Sequence, residues 1–297
     1  MQDVQAQPDA RQVAVQRVGI KDIQLPIQVL QKDGRTQPAI ASISMSVDLS
    51  PDDKGTHMSR FVELLEDWRE QAWSARDIER LLNDVRRRLD AHSANVDVRF
   101  QLFLAKDAPV TGQRSAMPYT CQFTGSLTTT GFDLVTGVEV PITTLCPCSK
   151  EISEVGAHSQ RSWLRVKVRP TPGTSLWLEN LITDLETYGS CEVYPLLKRP
   201  DEKYVTEQAY HNPKFVEDVL RDAVVALRAS PDITWFEAEC EAAESIHLHN
   251  AFAYQQETII GRTQVASPYR NGAANQVTSP YRNGAASHAD AEAVAAS

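Results

Sequence analysis

Alternating apolar and polar side chains give way to helical spacing and then return, and the chain does this twice; few architectures accept that order. In the first half Ile43, Met45, Val47 and Leu49 alternate with Ser42, Ser44, Ser46 and Asp48, the period of two that belongs to a strand with one wet face. Pro51-Asp52-Asp53-Lys54-Gly55 ends that pattern. Phe61, Leu64, Leu65 and Trp68 then share a helical stripe that starts near Thr56. A second stripe from about Ser74 carries Ile78, Leu81, Leu82, Val85 and Leu89. Val96, Val98, Phe100, Leu102 and Leu104 restore strict alternation, a further strand is expected near 119–128, and a strand-like stretch at 15–32 precedes them all.

The second half repeats the plan. Strand-like segments at 131–143 and 160–169 precede one helical pattern with Leu178, Leu181, Ile182 and Leu185. Another follows with Val216, Val219, Leu220, Ala223, Val224 and Leu227. Phe236, Ala238 and Cys240 alternate with Glu237, Glu239 and Glu241, and a last strand is expected through 251–260. Both halves read β-β-α-α-β-β. The expected fold is α+β, with two tandem units at 15–130 and 131–262, each an antiparallel sheet carrying its helices on one face.

Outside that plan lie a polar leader at 1–14, expected to be frayed, and a tail at 263–297. In the tail the segment Gln264–Ala274 recurs, nearly unchanged, as Gln276–Ala286, a twelve-residue duplication followed by an Ala-rich end. That composition cannot bury a core, and the tail is expected to be disordered. Two connections in the second half, 144–159 and 189–212, read as long and without regular structure, and such loops are often functional.

A net charge of −9 disfavours a general nucleic-acid or anionic-membrane binder. No run approaches the roughly 20 apolar residues that cross a bilayer. The N-terminus lacks the apolar stretch of a signal peptide. Five cysteines form no disulfide-like framework, which points to free thiols in a reducing, cytoplasmic compartment.

The first connection concentrates reactive groups. Cys146, Cys148, Lys150, Glu151 and His158 fall within thirteen residues. Thiolate and imidazole suit zinc or another late divalent metal, and Glu and Lys can move protons. Cys-x-Cys is not the Cys-x-x-Cys hook of a structural zinc site, and its spacing fits two ordinary buried cysteines as well. A second cluster, Glu244-Ser245-Ile246-His247-Leu248-His249, puts both imidazoles on one side if the segment is extended; exposed histidines at a strand end fit the same pattern. Glu217 lies just after Pro213 at a helix start, where a carboxylate complements the dipole or could accept two N–H groups from a guanine-like edge. His57 and Arg60 open the first helix, either as an ordinary helix start or as a phosphate or substrate contact from a neighbouring subunit.

Taken together, Leu145-Cys146-Pro147-Cys148-Ser149-Lys150-Glu151-Ile152-Ser153 and Gly156-Ala157-His158-Ser159-Gln160-Arg161 resemble the signature of the type IB GTP cyclohydrolases. So do Lys54-Gly55-Thr56-His57-Met58-Ser59-Arg60-Phe61, the run from Leu197 to Glu207, and Glu244-Ser245-Ile246-His247 with His249. The resemblance spans about 15–262. It implies the tunnelling fold, an antiparallel sheet with two helices between its second and third strands, present twice and assembled as a homotetramer with active sites at interfaces. It also implies conversion of GTP and water to 7,8-dihydroneopterin triphosphate and formate, with a divalent metal (Zn, Mn or Fe) activating water for attack at C8 of the purine.

Carried over by position, the implied metal ligands are Cys146, His158, Glu202 and His247, with Cys146 and Cys148 left open as alternatives for the thiolate. Cys148, Glu151, Glu244 and His249 would be catalytic or orienting groups. Glu217 would anchor the guanine, and Lys150, Arg161, Lys198, Arg199, Lys203 and Arg60 would face the triphosphate. The alternatives are another pterin-pathway tunnelling-fold cyclohydrolase, such as one releasing a cyclic phosphate, and a non-catalytic purine- or metal-binding scaffold.

Overall fold

The computed structural model describes residue 5 and residues 7–259; the duplicated tail falls outside them. In chain order the elements of the first half are β1 (Val15–Leu30), β2 (Thr36–Leu49), α1 (Met58–Trp68), the two-residue β3 (Ala72–Trp73), α2 (Ile78–Leu89), β4 (Ala94–Asp107) and β5 (Arg114–Thr128). The second half holds β6 (Gly131–Leu145), α3 (Pro147–Ile152), β7 (Ser159–Pro170), α4 (Leu178–Glu186), β8 (Cys191–Glu192), α5 (Arg199–His211), α6 (Val216–Ala229), β9 (Ile233–Ala242) and β10 (Ala251–Thr258).

The strands form one sheet in the order β10-β9-β7-β6-β5-β4-β2-β1-β3, with β8 pairing on β6. Every pairing is antiparallel except β1 with the short β3. The sheet passes without a break from the first half to the second, because β5 and β6 pair from Thr120–Glu139 to Thr128–Gly131.

The apolar stripes read from the sequence are the buried faces. Phe61, Leu64, Leu65 and Trp68 of α1 and Ile78, Leu81, Leu82, Val85 and Leu89 of α2 are buried. They pack against the alternating residues of β2 and β4, such as Ile43, Met45, Val96 and Val98. Leu181 and Ile182 of α4 and Val219, Ala223 and Leu227 of α6 do the same over Val140, Leu164, Val166 and Phe236. Gly125 allows the close approach: a Cβ there would come within 2.4 Å of the Ile78 side chain.

Three local readings differ from expectation. The connection at 189–212 contains the 13-residue helix α5. Its sequence has no apolar stripe, and only Asp201 and Ala209 are buried on it, so helical periodicity was absent. Pro213 precedes the helix rather than opening it; α6 begins at Val216, where Asp218 Oδ2 accepts the Phe215 N–H at 3.0 Å. At the other end of the chain, Gln5 Nε2 donates to the Thr56 carbonyl at 3.0 Å, and the Lys54 N–H donates to the Gln7 carbonyl at 3.0 Å.

Candidate active site

The ends of β6 and β7 hold the Cys-rich stretch. Their ladder runs to Leu145 opposite Ser159, and the Cys146 N–H extends it by donating to the His158 carbonyl at 3.1 Å. Cys146 and His158 therefore face each other one step beyond the paired strands. Between them the chain makes the single short helix α3, with Pro147 in its first turn, where the missing N–H costs nothing. Gly156 at φ +75° turns the chain back, a left-handed conformation that favours glycine.

Ser149 ties the two ends into one knot. Its N–H donates to Cys146 Sγ at 3.4 Å and its hydroxyl to the Cys146 carbonyl at 3.1 Å, while its Oγ accepts the His158 N–H at 3.2 Å. His158 Nδ1 lies 3.0 Å from Gln160 Oε1 and 3.9 Å from a Glu244 carboxylate oxygen. Glu244 reaches this point because β9 pairs Ala242 with Ser162 of β7, and the Ala243 N–H donates onward to the Arg161 carbonyl at 3.0 Å. The His158 and Glu244 side chains are only 15% and 14% exposed, so they meet where water is scarce.

Cys148 and Glu151 are exposed on α3. Lys150 turns toward α5 instead of open space: Nζ donates to the Tyr210 carbonyl at 2.5 Å and sits 4.3 Å from the centre of the Tyr210 ring. This places a cation at the carbonyl end of α5, where the helix dipole favours it. The other three cysteines, Cys121, Cys191 and Cys240, are buried. Burial pushes the Cys191 thiol up to about 11; burial and the nearby Glu217 push Cys240 up to about 12. The two cysteines of the knot are thus the accessible thiols among the described residues.

Glu202 is exposed in the first turn of α5, beside Lys198, Arg199 and Lys203, which are exposed too. Its neighbour Asp201 is fully buried. The Asp201 carboxylate accepts the Val110 N–H at 2.8 Å, the Thr111 N–H at 2.9 Å, the Thr111 hydroxyl at 2.7 Å and the Lys198 N–H at 2.9 Å. Burial opposes its charge, but these bonds prevail and hold the carboxyl well below the usual carboxylate range. The β4–β5 hairpin of the first half thereby grips the helix that presents Glu202. Nothing in the sequence marked Asp201 out from the other charged residues of that connection.

His247 and His249 lie on a segment of bends after β9, not on an extended strand. Their rings nevertheless stack at 5.0 Å and 11° and are exposed. Glu217 is exposed in the first turn of α6. Arg161 is exposed and lines a cleft of about 470 Å³ with Thr143, Ser159, Tyr194, Tyr210 and His211. Arg60 stays within the first half, donating to the Arg88 carbonyl at 3.5 Å. A larger cavity of about 730 Å³, beside Arg76, Phe132 and Trp177, contains none of the expected site residues.

Among the described residues no three His, Cys, Asp or Glu side chains are gathered closely enough to hold a metal ion. The structure brings Cys146 and His158 together and leaves Glu202 and His247 on separate elements. The donor types nonetheless fit a late divalent metal. His158 fits as a ligand in a further respect: with Nδ1 engaged by Gln160, its other ring nitrogen is the one left for coordination.

The model of the family described as type I GTP cyclohydrolase FolE2 matches residues 1–253. The chain belongs to this family. It is 49% identical over 253 residues to the GTP cyclohydrolase FolE2 of Geobacter sulfurreducens, a match covering 85% of this chain and 96% of that one. The GTP cyclohydrolase FolE2 of Syntrophotalea carbinolica is 48% identical over 268 residues, covering 90% and 98%. Among solved structures, uricase from Arthrobacter globiformis is similar at a TM-score of 0.47 and 9% identity, covering 85% of this chain and 96% of that one, a likeness too loose to bear on activity. Every residue of the FolE2 stretch described above, from the Cys146 knot to His249, lies within the matched range.

Proposed function

We propose that this FolE2 family member is a GTP cyclohydrolase that converts GTP and water to 7,8-dihydroneopterin triphosphate and formate, the first step of folate biosynthesis. The observation that carries the reading is the knot at the end of β6 and β7. There Cys146, His158 and Glu244 converge from three neighbouring strands in a chain otherwise built as a plain sheet-and-helix framework.

Two waters cleave C8 from N7 and N9 and release it as formate; the ribose chain then rearranges, and its carbonyl condenses with the freed amine, expelling one water as the six-membered ring closes. A divalent cation, Zn, Mn or Fe, would supply Lewis acidity toward water; Cys146, His158, Glu202 and His247 would hold it, with Cys148 as the alternative thiolate. The chain's own groups supply the rest. Glu244, sheltered and 3.9 Å from His158 Nδ1, would take up and return protons, which each bond-breaking step requires. His249 and Glu151, both exposed, would be further proton carriers. Glu217 would accept two N–H groups of the guanine edge. Arg161, Lys198, Arg199 and Lys203 would face the triphosphate, to which Lys150 and Arg60 would add charge.

The ligands that stand apart in one chain are consistent with a site completed by assembly. Ile246, Leu248, Phe252 and Tyr254 are exposed around the histidine segment and along the edge strand β10, an apolar patch that a second copy would cover. We infer a homotetramer with sites at its interfaces, as the family resemblance implies. No described helix is long and apolar enough to cross a membrane, and a cytoplasmic enzyme using GTP as substrate, with no nucleic-acid partner, fits the acidic chain.

The test is release of formate from GTP by the protein supplied with Mn²⁺ or Zn²⁺, with the product identified by mass spectrometry. Formate and 7,8-dihydroneopterin triphosphate, both lost on chelation, are the expected result. A cyclic phosphate product would assign a different cyclohydrolase, and no turnover with any of the three metals between pH 6 and 9 would leave only a binding scaffold.

A further inference from the structure

The core-facing positions of β6 and β7 change character without changing phase. Val140 and Ile142 on β6 and Leu164, Val166 and Val168 on β7 are apolar and buried. At the site end the same face carries Thr144, Gln160 and Ser162. Thr144 is 1% exposed and Ser162 0%. Apolar residues of the same shape would serve a core as well or better, because paired buried hydroxyls contribute little net stability. A run of polar side chains in this place needs another reason.

Its hydrogen bonds give one. Thr144 stands directly across from Gln160 in the ladder. Gln160 Nε2 donates to Thr144 Oγ1 at 3.0 Å, and Thr144 Oγ1 is 2.8 Å from Ser162 Oγ. The amide nitrogen faces Thr144 Oγ1 and the amide oxygen faces His158 Nδ1, at 3.0 Å. A carbonyl oxygen cannot donate, so the proton of this contact belongs to Nδ1. The Glu244 carboxylate, 3.9 Å from the same nitrogen, favours a proton there as well.

We propose that Gln160, braced by Thr144 and Ser162, is a positioning residue that holds His158 in the Nδ1–H form with its Nε2 lone pair directed away from the strut. The inference rests on the reading of His158 as a metal ligand only for its purpose; the strut itself is a property of the metal-free chain. Such partners of a ligating imidazole set its tautomer and raise its basicity, and their loss lowers metal affinity by about 10- to 100-fold.

The experiment uses the full chain labelled with ¹⁵N-histidine and stripped of metal, with the ring nitrogens of His158 read by long-range ¹H–¹⁵N correlation and assigned by their loss in His158→Gln. Zn²⁺ affinity is measured in parallel by competition with a chromophoric chelator. The wild-type chain should show the Nδ1–H form. Gln160→Met should shift His158 toward the Nε2–H form and weaken Zn²⁺ binding about 10- to 100-fold. Gln160→Glu, which keeps an acceptor at the same place, should restore both. If Gln160→Met fails to fold, Thr144→Val frees the amide to rotate and should give a mixture of tautomers. An unchanged Nδ1–H form in either variant, or an Nε2–H form in the wild type, overturns the proposal. A tautomer that follows Gln160 while Zn²⁺ affinity stays constant upholds the strut and removes His158 from the ligand set, so the two failures are told apart.

Discussion

Between its two core helices the first unit spends a two-residue strand and one turn of 3₁₀ helix, whereas the second inserts β8 and the 13-residue α5. Between its first two strands the first unit needs only residues 31–35, whereas the second inserts α3 and the turn at Gly156. The strands and helices on either side of these insertions are alike in order and in the way they bury one face. What differs lies in these connections, and Cys146, Cys148, Lys150, Glu151, His158 and Glu202 of the proposed site ride on them. A framework repeated twice can leave one copy to hold the sheet while the other gains segments that bind and react. The first unit is not idle in this arrangement. Its β4–β5 hairpin holds the Asp201 carboxylate, and through it α5.

The sharpest way to break this contrast is to remove a side chain from each unit. Cys146→Ala in the second unit should lower bound metal and take formate release to background while far-UV circular dichroism stays that of the wild type. Cys148→Ala should retain more of the metal, and the reverse result would exchange their roles. Leu82→Ala in the first unit, a fully buried residue of α2, should cost about 2–5 kcal/mol of stability in denaturant unfolding. It should leave kcat of the folded fraction unchanged. If Leu82→Ala lowered kcat with stability intact, the division of labour between the units would be wrong.

Asp201 tests the joint between them. Asp201→Asn should lower Tm at neutral pH and reduce kcat/KM, because the hairpin loses its hold on the helix that carries Glu202. The folded carboxyl is held below its usual range, so its contribution is fully present above the ordinary aspartate pKa of about 4 and is lost as pH falls toward the folded value. The Tm difference between wild type and variant should therefore narrow below about pH 4. A difference that stays constant with pH would remove the charge from the explanation. The smallest effect is expected at Lys203, whose partner Glu207 is 3.8 Å away on an exposed helix face. Lys203→Ala should change stability by less than about 0.5 kcal/mol, with any loss appearing in KM for GTP.

The framework was readable from the chain because each of its elements buries one face of regular period. The stripes of α1, α2, α4 and α6 and the alternation of β2, β4 and β9 came directly from apolar spacing. Helix α5 left no such trace: its contact with the fold is made by a buried carboxylate and one alanine, and a helix held by polar bonds has no hydrophobic period. The stacked imidazoles of His247 and His249 are brought side by side by bends rather than by the expected strand. In the site, Cys146, His158 and Glu244 were visible as chemistry in the sequence, but their convergence depends on β6, β7 and β9 lying side by side, a non-local fact. Gln160 carries no such mark, because an amide between Ser159 and Arg161 looks like an ordinary polar residue. The signal was the unbroken phase of 140, 142 and 144 against 160, 162 and 164, along which apolar residues give way to polar ones.

The elaborated second unit is proposed to open the purine ring of GTP with the help of a divalent metal. Incubating the metal-stripped protein with GTP, with and without added Mn²⁺, and oxidising the product to a fluorescent pterin tests it most directly. Fluorescence and an equal amount of formate should appear only when metal is present, and neither with His158→Ala. Equal fluorescence from the stripped protein, or full activity in His158→Ala, would contradict it.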